Sequence, residues 1–169
     1  MSSPPLNTTD ARRRCVRLLW RTATLGVAAC LLAATPARAQ LNVVAAGELA
    51  FGRFAAIAAG SVHVGTGGAR SAAGGVVLLA SAGAPARFTI SDKKPANANL
   101  VYIISLPAGA LISDGAASMA LSDFVSVPAG AGMLSGGTQL LAVGATLQVA
   151  PGQRPGNYSG TFPITIEYQ

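Results

Sequence analysis

Residues 158–168, Tyr158-Ser159-Gly160-Thr161-Phe162-Pro163-Ile164-Thr165-Ile166-Glu167-Tyr168, alternate without a break. Successive side chains of an extended chain point to opposite faces. Tyr158, Gly160, Phe162, Ile164, Ile166 and Tyr168 therefore share one face, and Ser159, Thr161, Pro163, Thr165 and Glu167 share the other. Such a strand is buried on one side and wet on the other. Pro163 has no N–H to give a neighbour, which predicts an edge position. A long apolar edge is an aggregation hazard unless another part of the chain, or a partner, covers it.

Upstream of this strand no stretch keeps a helical period. Candidate strands at 43–54, 61–64, 76–81, 87–91, 100–106, 119–127 and 139–149 are rich in Val, Ile, Phe and Thr, residues that fit a pleated, half-buried surface. Gly67-Gly68, Gly74-Gly75, Pro107-Ala108-Gly109, Pro128-Ala129-Gly130, Gly136-Gly137 and Pro151-Gly152 separate them as turns. The Ala-rich stretch 55–59 is compatible with one helical turn. Seven or eight short strands with frequent turns predict an all-β chain, an antiparallel immunoglobulin-like β-sandwich.

The 169 residues are 51% hydrophobic and 11% charged, with a formal charge of +6. That charge is local: Arg12, Arg13, Arg14, Arg17, Arg21 and Arg38 lie in the first 39 residues beside a single acid, Asp10. The remainder carries scattered Arg53, Arg70, Arg87, Lys93, Lys94 and Arg154 against five acids, which excludes the clustered cations that nucleic-acid backbones require. A basic stretch, an apolar run over 23–34, Pro36 and the small-x-small triplet Ala37-Arg38-Ala39 together predict a cleaved export signal over 1–39. The apolar run is too short to span a bilayer, so no membrane span is expected after cleavage. One domain is expected over 40–169, located in the periplasm, at the cell surface or outside the cell. Both cysteines, Cys15 and Cys30, fall within the signal, so that domain has neither a disulfide nor a thiol site.

Two resemblances follow from these residues. Gly156, alternating apolar residues and the penultimate Tyr168 resemble the C-terminal signature of chaperone–usher pilus subunits. That likeness implies an incomplete immunoglobulin-like fold, and partners in a periplasmic chaperone and like subunits. It also implies a last strand that receives the N-terminal extension of the next subunit. Residues 40–48, with Leu41, Val43, Ala45 and Gly47 on one face, could serve as such a donor or as the first strand of a closed sandwich. The chain lacks the disulfide usual in those subunits. Leu49-Ala50-Phe51-Gly52, Ala86-Arg87-Phe88-Thr89-Ile90, Val143-Gly144-Ala145-Thr146-Leu147 and the run from Gly156 to Phe162 resemble a bacterial family described as domain of unknown function 4402. This second likeness extends over nearly all of 40–169, and the family name implies no activity.

Catalytic chemistry is sparse. His63 is the only histidine, set between Val62 and Val64 as the outward residue of a strand, and one histidine without cysteine makes no zinc site. Asp92, Asp114 and Asp123 fall in or near separate turns, which argues against a calcium cluster. No serine is flanked by glycines at −2 and +2 to form a nucleophile elbow. Asp92-Lys93-Lys94-Pro95 reads as a solvated turn. The expectation is a non-enzymatic exported structural or interaction protein without cofactor or metal, similar to a fimbrial subunit and associating by strand addition. Gly156, Tyr158, Phe162, Ile164, Ile166, Tyr168, Leu41 and Val43 are its contact residues. The alternative is a stand-alone secreted module that binds a glycan or surface ligand through its loops. If the signal reading is right, the intact mass of the exported protein corresponds to a chain beginning at Gln40; a lipidated start at Cys30 would refute it.

Overall fold

The computed structural model describes residues 41–169. The expected export signal, its expected cleavage site and both cysteines lie outside the described residues. Ten strands follow in order: β1 (Asn42–Gly47), β2 (Phe54–Val64), β3 (Arg70–Leu78), β4 (Ala86–Ser91), β5 (Val101–Ser105), β6 (Ala110–Ser113), β7 (Ser118–Val127), β8 (Ala131–Met133), β9 (Thr138–Val149) and β10 (Thr165–Tyr168). A single 3-10 turn, Pro95–Asn97, follows β4. All pairings are antiparallel, and they form one sheet of seven strands and one of three, the latter ordered β10-β5-β8. The chain is all-β, as its punctuation predicts.

The larger sheet is organised by β9. Ala142 and Val143 pair with Arg87 and Ala86 of β4, and also with Val127 and Ser126 of β7. Further along, Thr146 and Leu147 pair with His63 and Val62 of β2, and also with Ser122 and Leu121 of β7. Each residue has only two edges, so β4 and β2 lie end to end along one side of β9 while β7 runs along the other. β7 stays paired across this junction by a register shift between Ser122 and Val125. Within that shift Asp123 takes a φ of 49°, a left-handed conformation that aspartate tolerates better than most residues.

Two apolar clusters flank the same strand. Ala145, Leu147 and Val149 of β9 join Phe51, Val62, Val64, Val76, Met119 and Leu121. Leu141 and Val143 join Ala86, Ile90, Tyr102, Ile104 and Leu134. Gly144 separates the two sets. A methyl group there would run into the carbonyl oxygen of Val64 and stand 3.0 Å from the carbonyl carbon of Gly65, so β2 can pass β9 only where that side chain is missing.

The expected strands differ from the observed ones where side chains are small or strands are short. The candidate at 43–54 divides into β1 and the start of β2, because 48–53 leaves the ladder with Gly52 at a φ of 68°. The stretch 55–59 is strand rather than a helical turn: Ala55 and Ala56 pair with Val77 and Val76 of β3. β6 and β8, of four and three residues, were not expected as strands. Of 158–168 only the last four residues form β10.

Gly144→Ala should lower the unfolding free energy by about 1–3 kcal/mol, the usual cost of forcing a group into a packed site. Gly67→Ala, where a Cβ meets nothing within 4 Å, should change it little. Urea unfolding of the two variants beside the parent checks the pair.

Candidate functional site

The alternation of 158–168 survives in the fold: Tyr158, Phe162, Ile164, Ile166 and Tyr168 are half-buried, and the residues between them are exposed. Tyr158 packs on the first cluster, while Phe162, Ile164, Ile166 and Tyr168 pack on the second. The Phe162 ring lies 5.1 Å from that of Phe124, centroid to centroid, at 42°. Gly156 lies apart from them against the Asp114 carboxylate, where a Cβ would stand 2.6 Å from Oδ2. Of the residues expected on the first strand, Leu41 packs on the second cluster but Val43 is 40% exposed. β1 pairs with β4 of its own chain, so 41–47 completes the larger sheet and does not lie beside β10.

The terminal segment runs antiparallel to 101–113. β10 pairs Thr165 with Ser105, Ile166 with Ile104, Glu167 with Ile103 and Tyr168 with Tyr102. Upstream, Ser159 exchanges both backbone bonds with Ser113, the last residue of β6, at 2.8 and 3.0 Å, two positions off the β10–β5 register. Continuing the β10 register by two residues sets Pro163 opposite Pro107. Two residues without an N–H cannot exchange ladder bonds, which is why the eleven-residue pattern yields only four residues of strand.

The hydrogen bonds also decide which way β10 presents its backbone. Gln169 N–H donates to Val101 at 3.1 Å. Ile104 N–H donates to Gly130 at 2.9 Å, and Leu134 N–H donates to Leu100 at 3.1 Å. Hydrogen-bonded and non-bonded pairs alternate along an antiparallel ladder. Odd residues of β5 therefore face β10, and even ones face β8. It follows that Thr165, Glu167 and Gln169 turn their amides and carbonyls toward β5, whereas Ile166 and Tyr168 turn theirs to the opposite edge. Among the described residues nothing pairs with that edge. The gap at Pro163, expected on an open flank, lies on the paired flank in this register.

Of the other terminal strands, β1, β3 and β8 are guarded, and the outer edge of β6 is bridged at Ser113 by Ser159. β1 carries a register shift between Ala45 and Gly47, and the β2–β3 ladder shifts between Ala56 and Gly60, opposite Gly74 at a φ of 70°. Such bulges twist an edge away from a second strand. β8 is only three residues long. β10 combines an unbroken register with an apolar inner face.

A side-chain latch holds β10 from the other sheet. The Tyr168 hydroxyl donates to Asp92 Oδ2 at 2.6 Å, and Asp92 also accepts from Lys94 N–H at 2.8 Å and Asn97 Nδ2 at 2.8 Å. Asp92 is only 9% exposed, so the solvated turn expected there is instead an anchoring carboxylate. Those bonds, that from Tyr168 foremost, hold its pKa below the ordinary value of 3.8. Burial, and then the bond to Asp92, push Tyr168 up to about 12. Sequence reasoning missed this pair because 76 positions separate its members.

No group of three metal-ligating side chains occurs among the described residues, and none of their helices is long and apolar enough to cross a membrane. His63 Nδ1 lies 3.1 Å from Thr146 Oγ1 across the β2–β9 ladder. A depression of about 450 Å³ is lined by Val101, Pro128, Ala131, Gly132, Met133 and Gln139, a set without an aromatic or ionisable side chain.

A family model described as Domain of unknown function (DUF4402) matches residues 41–168. No curated protein and no solved structure matches the chain. The likeness of the last strand to chaperone–usher subunits is not borne out by these comparisons.

Tyr168→Phe removes the latch and should lower thermal stability, with a pH window set by both partners. The depressed Asp92 group stabilises the fold above 3.8, and that contribution fades as pH falls through its folded value. The raised Tyr168 group stabilises the fold below its ordinary value of 10.0, and that contribution is lost as pH rises toward about 12. The difference in melting temperature between parent and variant should therefore be largest between these limits and shrink beyond each. A pH series of thermal melts checks it.

Proposed function

The chain belongs to the DUF4402 family, and from that premise we propose that it is an exported structural or interaction protein. In this reading it associates by β-strand addition at the open edge of β10, in the manner of a fimbrial subunit. The observation that carries the reading is the orientation of the β10 backbone, with Ile166 and Tyr168 presenting amides and carbonyls to an edge no described residue occupies. In strand addition those groups give affinity, and alternate side chains give register. The half-buried Ile164, Ile166 and Tyr168 supply that alternation. Export rests on the basic and apolar leader and its small-x-small triplet. Paucity of reactive side chains speaks for a structural role over a catalytic one.

Assembled protein from its native compartment should exchange the amide protons of Ile166 and Tyr168 roughly tenfold or more slowly than isolated monomer, because each gains a partner. Amides in the turns at Gly115 and Gly152 should not change. Equal exchange in the two states, or material that stays monomeric in its native compartment, overturns the reading.

A further inference from the structure

We propose that the occupant of the β10 edge is the β10 edge of a second copy, paired antiparallel about a two-fold axis through Ile166, so that the two three-stranded sheets join as one of six. The proposal rests on the strand-addition reading and names its partner.

Directly opposed residues on antiparallel strands share a face, so a two-fold pairing that keeps both apolar faces turned inward can join only residues an even number of positions apart. Centred on Ile166, the pairing sets Ile166 against its mate, Ile164 against Tyr168 and Thr165 against Glu167. Ile166 and Tyr168 are the β10 residues whose backbone groups face the open edge, so the axis falls on a hydrogen-bonded pair. The same register lays Ile164, Ile166 and Tyr168 of each copy against those of the other, covering side chains that one copy leaves half-exposed.

Competing registers fit less well. Centring on Glu167 sets two carboxylates directly opposite each other, a destabilising arrangement. Centring on Thr165 or closer to 160 pairs Tyr168 with Phe162 or earlier residues, deeper into 160–164, which forms no strand; the Ile166 register takes only Ile164 from that stretch. Net charge also permits self-association. Residues 41–169 hold Arg53, Arg70, Arg87, Lys93, Lys94 and Arg154 against Glu48, Asp92, Asp114, Asp123 and Glu167, so two copies barely repel each other.

The register makes one charge decisive, because residue 165 stands opposite Glu167 of the other copy on the exposed face. Sedimentation equilibrium on the full-length gene product, purified as the cell processes it, should show a dimer. Thr165→Glu should weaken that dimer and Thr165→Lys should tighten it, each by roughly 2- to 30-fold, since symmetry counts each cross-strand charge pair twice. Neither substitution should shift the unfolding midpoint of the monomer, because Thr165 is exposed. Ile166→Pro, which removes an N–H that points only to the open edge, should abolish the dimer; should that variant fail to fold, the charge pair decides alone.

A dimer lost in Ile166→Pro but indifferent to the charge at 165 overturns the two-fold register and leaves strand addition standing. A protein monomeric in isolation, whose Ile166 and Tyr168 amides are nevertheless protected in native assemblies, assigns the edge to another segment, such as 40–48 of a neighbour. That outcome overturns the proposal and again leaves the reading intact. A monomer whose edge amides exchange freely everywhere overturns both.

Discussion

Everything in this fold hangs on β9 being paired along both sides throughout its middle. A strand at the centre of a sheet normally has one neighbour on each side, but β9 has two in succession on one side, β4 and then β2. That division requires a point where the two neighbours can meet it without a side chain in the way, and Gly144 is that point. Leu141 and Val143 precede it and Ala145, Leu147 and Val149 follow it, so the apolar clusters are built from the two halves of one strand. Neither cluster can loosen without disturbing the backbone that forms the other.

Against that rigid spine the three-stranded sheet is lightly held. β5 is its centre, with Tyr102 and Ile104 buried beneath it and Val101 and Ile103 exposed above. Gly132 of β8 lies so close beneath the Tyr102 ring that any side chain there would collide with it. Among the described residues the buried Tyr102 hydroxyl has no hydrogen-bond partner, and burial pushes its pKa up. On the other side β10 is fixed by a ladder along one edge and by the Tyr168–Asp92 bond through its side chain. Anchoring a strand by its side chain leaves the second row of backbone groups unused. The strand is thus placed accurately while its edge stays available, a combination that ladder pairing on both sides would forbid.

The sequence disclosed the parts of this arrangement that depend on side-chain alternation. Tyr158 to Tyr168 is legible because large apolar and small polar residues take turns, and the structure keeps that order even where it forms no ladder. Ala55, Ala56, Ala72 and Ala73 are strand residues of little bulk, so the period of two leaves no contrast to read, and a helical turn looked equally fitting at 55–59. β6 and β8 are too short to show a period at all. The anchoring role of Asp92 depends on Tyr168, Lys94 and Asn97 converging in space, and only the local part of that set is visible as a turn. Pro107 reads as turn punctuation and Pro163 as the mark of an edge strand; their meeting in one register depends on the pairing itself. The open edge could be anticipated from Pro163, but its side had to come from hydrogen-bond parity.

The Tyr168–Asp92 bond also sets an order of events. Contacts distant along the chain form only after the entropy of closing the intervening loop has been overcome, and that cost grows with loop length. The β2–β3 hairpin closes through the short turn 65–69, whereas seating β10 closes a loop of 76 residues. β10 is also the last described strand in chain order, so during synthesis Tyr102, Ile104 and Leu134 wait for Ile164, Ile166 and Tyr168 to arrive. During that interval the molecule is a nearly finished sandwich with an apolar slot of its own strand's shape. Any extended segment with the same alternation competes for the slot, and the latch at Asp92 ends the contest in favour of the chain's own strand.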